Sequence, residues 1–157
     1  MFSKALTMKL HILLFAAVSA LASLPGAMAQ TANPPAQKSG EQVYKSICFA
    51  CHASGVANAP KFGDRAAWAP LIGEGQAMLT GHAWVGVRAM PARGGSTDLS
   101  LQDFAKAVAY MANSAGGDWK DPDAAMMKKI AKEADQRLAK SIKEQQAMQR
   151  DLQRWSK

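Results

Sequence analysis

Cys48-Phe49-Ala50-Cys51-His52 is the most specific stretch of this 157-residue chain. Cys48 and Cys51 are the only two cysteines in the sequence, and they lie three positions apart. On a helical turn, residues at that spacing lie on one side, so both thiols face the same way. The imidazole of His52 follows directly. The stretch therefore offers two sulfur nucleophiles and one metal-binding nitrogen within a single turn.

The order C-x-x-C-H is the attachment sequence for haem of the c type. Each thiol can add to one vinyl group, and His52 then lies beneath the iron as its proximal ligand. A redox dithiol of the thioredoxin type is an alternative, but no βαβ pattern surrounds Cys48. A zinc site is a second alternative, but Cys48, Cys51 and His52 supply only three of the usual four ligands. We therefore expect one covalent haem c per chain.

Residues 1–29 have the pattern of a secretory signal peptide. Lys4 and Lys9 form a basic start, residues 11–22 are an apolar run, and Ala27-Met28-Ala29 is a small-x-small cleavage site. A retained membrane anchor is the alternative, but the run is shorter than the roughly 20 residues that a span needs. We expect cleavage after about Ala29 and a periplasmic protein.

Composition divides the rest of the chain into three parts. Residues 30–39 are polar and contain two prolines, which predicts a flexible leader; residues 40–117 form the expected compact domain. Residues 118–157 predict a charged helical tail. The formal net charge of +7 favours acidic or membrane-bound partners, and it is weaker than the dense basic stripe of a nucleic-acid-binding protein.

Helical periodicity predicts an all-α fold, because β-branched alternation is absent. Helices are expected over residues 40–51, 74–86, 100–114 and 123–155. Ser100 and Asp103 predict an S-x-x-D cap for the third helix. A loop rich in Gly, Ala and Pro is expected between the first and second helices, and residues 88–95 are not expected to form regular helix.

A six-coordinate iron also needs a distal ligand, and Met90 is the preferred candidate. Pro91 follows it, so Met90 is expected in a loop that can present its sulfur. A His/Met pair raises the reduction potential, as suits an electron carrier. His82 is the rival ligand, although it lies in the middle of a predicted helix. Met78 and Met111 lie on apolar helix faces, where methionine usually fills the core.

Three further side chains are candidates for contacts with the haem. The indole N–H of Trp68 would donate to a haem propionate, or the ring would pack on the haem edge with its N–H facing water. Arg88 and Arg93 flank Met90. They would pair with propionates or with a partner protein, and the alternative is that they are simply solvated.

Several motifs between residues 40 and 115 recur in the order found in one known family. They are Gly40, Tyr44, Cys48-x-x-Cys51-His52, Ala59-Pro60-Lys61-Phe62-Gly63-Asp64, Ala67-Trp68-Ala69-Pro70, Met90-Pro91-Ala92-Arg93-Gly94-Gly95 and Ala109-Tyr110-Met111. With these motifs the chain resembles class I cytochromes c of the cytochrome c5 type. The resemblance implies an all-α fold whose N- and C-terminal helices cross near the haem edge. It also implies Met90 as distal ligand and a role as periplasmic electron shuttle or haem domain.

The chain departs from that family in two places. Many members carry a further cysteine pair after the two glycines, and this pair restrains the distal loop. The stretch Gly94-Gly95-Ser96-Thr97 contains none, so this loop is expected to be more mobile. The second departure is the tail, which does not belong to the family pattern.

The tail carries an apolar stripe at helical spacing. Its members are Met127, Ala131, Ala134, Leu138, Ile142, Met148, Leu152 and Trp155. The stripe would suit a docking helix, a short coiled coil or a basic amphipathic helix on a membrane surface. The interpretation that we favour is a solvated helix folded loosely back on the domain.

The function expected from these residues is outer-sphere transfer of single electrons between redox proteins. The sequence shows no acid/base pair, nucleophile triad or phosphate-binding loop, so we do not expect an enzyme. Nucleic acid and small-molecule substrates are not expected as partners. A haem enzyme or gas sensor with an open distal site is one alternative, and a haem subunit of a membrane oxidase or dehydrogenase complex is another.

Overall fold

The computed structural model describes residues 37–156, and the regular elements of this stretch are helices. They are α1 (Gly40–Val43), a π-helix (Tyr44–Cys48), α2 (Phe49–His52), α3 (Arg65–Glu74), α4 (Gln76–Val85), α5 (Leu101–Ser114) and α6 (Ala124–Trp155). Short 3-10 turns cover Val56–Asn58 and Ala92–Gly95. The all-α fold class is thereby confirmed. The expected signal peptide and most of the expected leader lie outside the described residues.

The first helix runs from Gly40 to His52 with a π-helical middle. Ser39 caps it, since its hydroxyl accepts a hydrogen bond from the Gln42 amide at 3.2 Å while the Gln42 side chain accepts from the Ser39 amide at 2.8 Å. Val43, Tyr44 and Cys48 are buried, and Ile47 packs partly buried against the same core. The π-helical stretch was not expected, because the order of apolar residues does not show whether an amide bonds to the fourth or to the fifth preceding carbonyl oxygen.

The first helix crosses α5 at Gly40. A β-carbon on Gly40 would clash with the carbonyl oxygen of Lys106, so the two backbones touch there. Ser100 precedes α5 as its N-cap, and its hydroxyl accepts from the amide of Asp103 at 3.1 Å, as predicted. Phe104, Val108 and Met111 are buried on the inner face of α5. The crossing that the resemblance implies is thus present, and these side chains form the centre of the core.

Helix α3 lies where a loop was expected, so that prediction is wrong. The carboxylate of Asp64 caps the helix and accepts from the amides of Ala66 and Ala67, each at 3.1 Å. Alanines form helix readily, and their propensity outweighs the one hydrogen bond that Pro70 removes. Glycine and proline content therefore misled the sequence interpretation in this region.

The segment between α4 and α5 contains a tight turn at Met90. Val87 and Met90 exchange two backbone hydrogen bonds of 3.1 and 2.9 Å, and a 3-10 turn follows at Ala92–Gly95. Gly86 joins α4 to this turn with φ 101°, in the left-handed region that favours glycine. The segment is not regular helix, as predicted, and the turn directly continues α4.

Helix α6 matches the helix predicted over residues 123–155, and its first part packs on α4. Ile130 and Ala134 are buried, and Gly81 of α4 faces the backbone of α6. The side chain of Arg137 donates from Nε to the carbonyl oxygen of Gly86 at 3.4 Å. The first part of α6, up to Arg137, therefore packs more closely on the domain than the loosely folded helix that we expected.

The second part of α6 presents its apolar residues to solvent. Leu138, Ile142, Met148 and Leu152 are exposed, and Trp155 keeps 90% of its surface. Among residues 37–156, no helix combines the length and the apolar character needed to cross a membrane. The division of the chain at residue 117 stays a prediction.

Candidate haem site

Cys48 and Cys51 lie at the carboxyl end of the first helix and differ in their surroundings. Both are free thiols; Cys48 is buried in the core, whereas Cys51 is exposed. Burial raises the pKa of the Cys48 thiol to about 11, because a thiolate there would lose its solvation. Cys48 is therefore held as a neutral thiol at neutral pH. Both sulfurs lie within one turn at the end of this helix, and neither is tied up in a disulfide.

The imidazole of His52 is buried and held by the backbone. Its Nδ1 atom lies 2.8 Å from the carbonyl oxygen of Pro60. Because a carbonyl oxygen can only accept, Nδ1 carries the proton, and Nε2 of the neutral ring keeps its lone pair. The amide of Phe62 donates to the carbonyl oxygen of His52 at 2.7 Å, which closes the intervening loop onto the helix. This arrangement is suited to a metal bond at Nε2.

Sequence reasoning did not assign a role to Pro60. The atom that holds His52 is a main-chain oxygen, and a main-chain oxygen carries no signal of residue type. Pro60 was visible only within the Ala59-Pro60-Lys61 motif of the family resemblance.

Trp68 is buried close to His52, but its polar atom has another partner. The indole Nε1 donates to the carbonyl oxygen of Lys61 at 2.8 Å. The N–H is therefore neither free for a propionate nor exposed to water in this structure, and a contact of Trp68 with the haem stays a prediction. The ring centroids of Trp68 and His52 lie 6.3 Å apart. Trp68 thus ties the loop that carries Pro60 to α3, next to the proximal imidazole.

Met90 lies in the turn after α4, half-buried and packed against the core. A β-carbon on Gly94 would lie 3.3 Å from Cγ2 of Ile47, so the loop after Met90 touches the helix that carries Cys48. The structure thereby brings the expected distal loop to the helix of the expected attachment site. Ligation of iron by Met90 stays a prediction.

The competing distal candidates have different environments. The Nδ1 atom of His82 lies 3.8 Å from a carboxylate oxygen of Glu74, at the half-exposed edge of α4. Met111 is buried in the core, as predicted. Met78 is 40% exposed, so the expectation that it fills the core is wrong. The period of α4 places Leu79, one position later, against the core instead.

A cleft of about 460 Å³ opens beside Pro60. Lys61, Leu71 and Arg88 border it, among other residues. The cleft therefore joins the loop that holds His52 to the turn that precedes Met90. Arg88 lines this cleft, whereas Arg93 turns to the ring of Trp84 at 5.2 Å. The two arginines that flank Met90 thus have different surroundings.

The side chains present fit a covalent haem. Two unpaired thiols lie on one turn, and the hydrogen bond at Nδ1 of His52 leaves Nε2 free. The thioether of Met90 lies in the loop that touches the same helix. Leu79, Ala83 and Leu99 belong to the same buried apolar cluster as Cys48. Within the part of the chain that the structure describes, no three histidine, cysteine or carboxylate side chains converge on a metal position, so the zinc alternative is not assembled there.

Comparison with known proteins identifies the family. Residues 35–111 match the family profile described as cytochrome C oxidase, cbb3-type, subunit III. Cytochrome c-555 of Chlorobaculum tepidum is 41% identical over 76 residues, which cover 46% of this chain and 70% of that protein. Cytochrome c5 of Azotobacter vinelandii is 37% identical over 76 residues, which cover 47% of this chain and 92% of that protein.

A solved structure of an electron transfer complex of nitrite reductase with cytochrome c aligns with 48% of this chain and 93% of that chain, at 49% identity and a TM-score of 0.47. The residues that match the family profile include Cys48, Cys51 and His52 in the C-x-x-C-H position of a covalent haem c. The chain therefore belongs to the cytochrome c family, where it fits the class I cytochrome c5 type, and it is a monohaem electron-transfer protein.

Proposed function

We propose that this chain is a periplasmic carrier of single electrons, with its haem attached to Cys48 and Cys51 and its iron ligated by His52 and Met90. The observation that carries this proposal is the hydrogen bond of 2.8 Å between Nδ1 of His52 and the carbonyl oxygen of Pro60. It fixes the tautomer and the plane of the imidazole, and it strengthens electron donation from Nε2.

The two thiols are suited to thioether formation. Each sulfur would form a bond to one carbon of a haem vinyl group while its hydrogen would go to the other carbon, so no atom would be lost and no oxidant would be needed. This addition requires unpaired cysteines, and both Cys48 and Cys51 are unpaired. Covalent attachment would then keep His52, the next residue, close to the iron.

The haem, when bound, supplies a one-electron ferric–ferrous couple. The protein's contribution is to hold its ligands in place and to exclude water from them. His52 and Cys48 are buried, and Met90 packs against the same core. A thioether ligand favours the ferrous state, which raises the reduction potential into the range of an electron carrier.

The exposed side of the attachment turn is the proposed route for electrons. Cys51 is exposed, and Phe49, which lies between the two cysteines, keeps 54% of its surface. An exposed aromatic ring beside a thioether is a suitable contact for a partner protein. Without Lys4 and Lys9 of the cleaved segment the net charge is +5, which would attract an acidic partner, so the rate of electron exchange should fall as salt screens the charges.

A periplasmic location is part of the proposal. It is supported by the basic start, apolar run and small-x-small site within residues 1–29. Fractionation of cells that express the full chain tests it, with the processed N-terminus read by mass spectrometry. Haem protein in the cytoplasmic fraction, with residues 1–29 retained, would exclude this location.

An optical spectrum tests the haem and its ligands together. The full chain is produced with a haem c maturation system, and spectra are taken in ferric and ferrous forms and after carbon monoxide. The proposal expects haem that survives denaturation, a weak far-red band of iron–methionine bonding, and no reaction with carbon monoxide. Covalent haem that binds carbon monoxide readily would instead support the gas sensor or haem enzyme.

A second candidate function is a haem subunit of a membrane oxidase complex. The matching family profile, described as subunit III of a cbb3-type oxidase, favours it, as does the exposed apolar part of α6. Deleting residues 138–157 tests this candidate, because the docked half of α6 stays in place. Loss of co-purification with membrane components, together with an unchanged haem spectrum, would support the subunit over the free carrier.

A further inference from the structure

Arg93 has the most specific contacts of any side chain in the loop after Met90. Its guanidinium carbon lies 5.2 Å from the centroid of the Trp84 ring, and Nη1 donates to the carbonyl oxygen of Thr97 at 3.1 Å. One contact therefore reaches back to α4 and the other reaches forward across the loop. Neither contact involves the residues proposed to bind the haem.

The ring under Arg93 is itself fixed to the core. Trp84 packs edge-on against Phe104 of α5, with ring centroids 5.4 Å apart and an interplanar angle of 71°. Phe104 is fully buried. The guanidinium therefore rests on a surface that α4 and α5 hold in place, rather than on a mobile side chain.

The backbone of Arg93 also needs an explanation. Its φ is 55° and its ψ is 25°, a left-handed conformation that costs a non-glycine residue energy. Gly94 and Gly95 follow with φ of 64° and 86° and adopt such angles without penalty. Arg93 is thus the first of three consecutive left-handed positions, and it is the one that is not a glycine. The side-chain contacts offset the strain that a glycine there would avoid.

We propose that Arg93 is a positioning residue: its contacts with Trp84 and Thr97 hold the loop closed behind Met90 and keep the Met90 sulfur in place. This inference rests on the proposed ligation by Met90. This chain has no second cysteine pair that could restrain the loop after Met90, and the contacts of Arg93 take that role. Cation–π contacts and hydrogen bonds of this kind are individually modest, so the expected effect is a loosening of the loop rather than unfolding.

Arg88 offers a matched control. It lies two residues before Met90, carries the same charge and has a left-handed φ of 52°. It borders the cleft beside Pro60 instead of stacking on Trp84. Arg93→Ala and Arg88→Ala therefore remove the same charge from opposite sides of Met90 at similar φ angles, and only the first removes the contacts with Trp84 and Thr97.

Two measurements on the haem-loaded full chain test the inference. The first is the affinity of the ferric protein for imidazole, which competes with Met90 for the iron. We expect Arg93→Ala to bind imidazole about tenfold more tightly than the wild type, the size expected when one cation–π contact and one hydrogen bond are lost. Arg88→Ala should match the wild type, and Arg93→Lys should lie between, since it keeps the cation but loses the fork. The second measurement is hydrogen exchange of the amides between residues 92 and 97, which should be faster in Arg93→Ala alone.

A double-mutant cycle separates positioning from a general loss of stability. Trp84→Phe keeps the aromatic face and weakens the cation–π contact. If the inference is right, Arg93→Ala has a smaller effect on imidazole affinity in the Trp84→Phe background. Equal effects of Arg93→Ala and Arg88→Ala on both measurements would overturn the inference. A wild-type spectrum without the far-red band would instead refute Met90 ligation, and hydrogen exchange would then still decide whether Arg93 holds the loop.

Discussion

A β-carbon placed on Gly81 would lie 2.7 Å from the β-carbon of Glu133 and 2.9 Å from the amide nitrogen of Ala134. Helices α4 and α6 therefore meet with the glycine of one against the backbone of the other. Ile130, fully buried, completes the contact. Since α4 continues directly into the Met90 turn, the docked half of the tail also supports the distal side of the site.

Gly81→Ala should destabilise the protein, because the new methyl group forces the two helices apart. We expect a loss of about 1–3 kcal/mol in the free energy of unfolding, the usual cost of overpacking. Gly73→Ala is the control, since its β-carbon would meet nothing within 4 Å. That substitution should stabilise by about 0.5–1 kcal/mol through helix propensity alone. Guanidinium unfolding of the haem-loaded protein measures both, and equal values would contradict the close docking of α6.

Met90→Leu should remove the far-red band and open the iron to carbon monoxide. The side chain keeps its volume but loses the sulfur, so the fold is expected to persist. Met78→Leu is the control, because Met78 is exposed on α4 and not expected near the iron. His82→Ala tests the rival ligand. A spectrum unchanged by Met90→Leu but altered by His82→Ala would assign the distal position to His82.

Trp68→Phe should lower stability without moving the reduction potential. The substitution leaves the Lys61 carbonyl oxygen without its indole donor, at a cost of about 1–3 kcal/mol. Trp155→Phe should change stability by less than about 0.5 kcal/mol, because that ring is 90% exposed. Denaturant titration and voltammetry provide the two readouts. A large shift in potential for Trp68→Phe would mean that the indole does contact the haem.

Tyr44→Phe should make stability less sensitive to alkaline pH. Burial raises the pKa of Tyr44 above its ordinary value of 10.0, and the nearby Tyr110 adds to the rise. The folded state therefore favours the neutral phenol, so its contribution is complete below pH 10 and is lost as the pH rises further. Unfolding free energies on either side of pH 10 measure this. An equal alkaline loss in wild type and Tyr44→Phe would rule out a contribution from Tyr44.

The sequence predicted the fold where one physical pattern dominated. The apolar spacing of Phe104, Val108 and Met111 and the Ser100 cap defined α5, and the long stripe after Asp123 defined α6. It failed at α3, where alanine propensity and the Asp64 cap outweighed the signal of Pro70. It also misplaced Met78. Helix α4 contains several small residues, so its sequence is compatible with more than one apolar face.

The site was predicted as residue types but not as contacts. Cys48, Cys51 and His52 follow from their spacing alone. The hydrogen bond from His52 ends on a main-chain oxygen, and that of Trp68 ends on another, so neither partner was identifiable from residue type. Arg93 was named as a flank of Met90, but its partner Trp84 lies on another element and only the tertiary fold brings them together.

The π-helix at Tyr44–Cys48 has a consequence for any attempt to transplant this attachment turn. A π-helical turn amounts to an α-helix with one residue inserted, and one residue corresponds to about 100° of rotation around the axis. The two halves of the helix therefore keep the relative orientation of a straight α-helix that is one residue shorter. Straightening the same residues into an ideal α-helix would leave Gly40 and Val43 seated while turning Cys48, Cys51 and His52 by about a quarter of a turn, whereas deleting the exposed Lys45 at the same time would keep both halves in place. A designer who grafts C-x-x-C-H onto an ideal helix must therefore leave one residue out between Gly40 and Cys48.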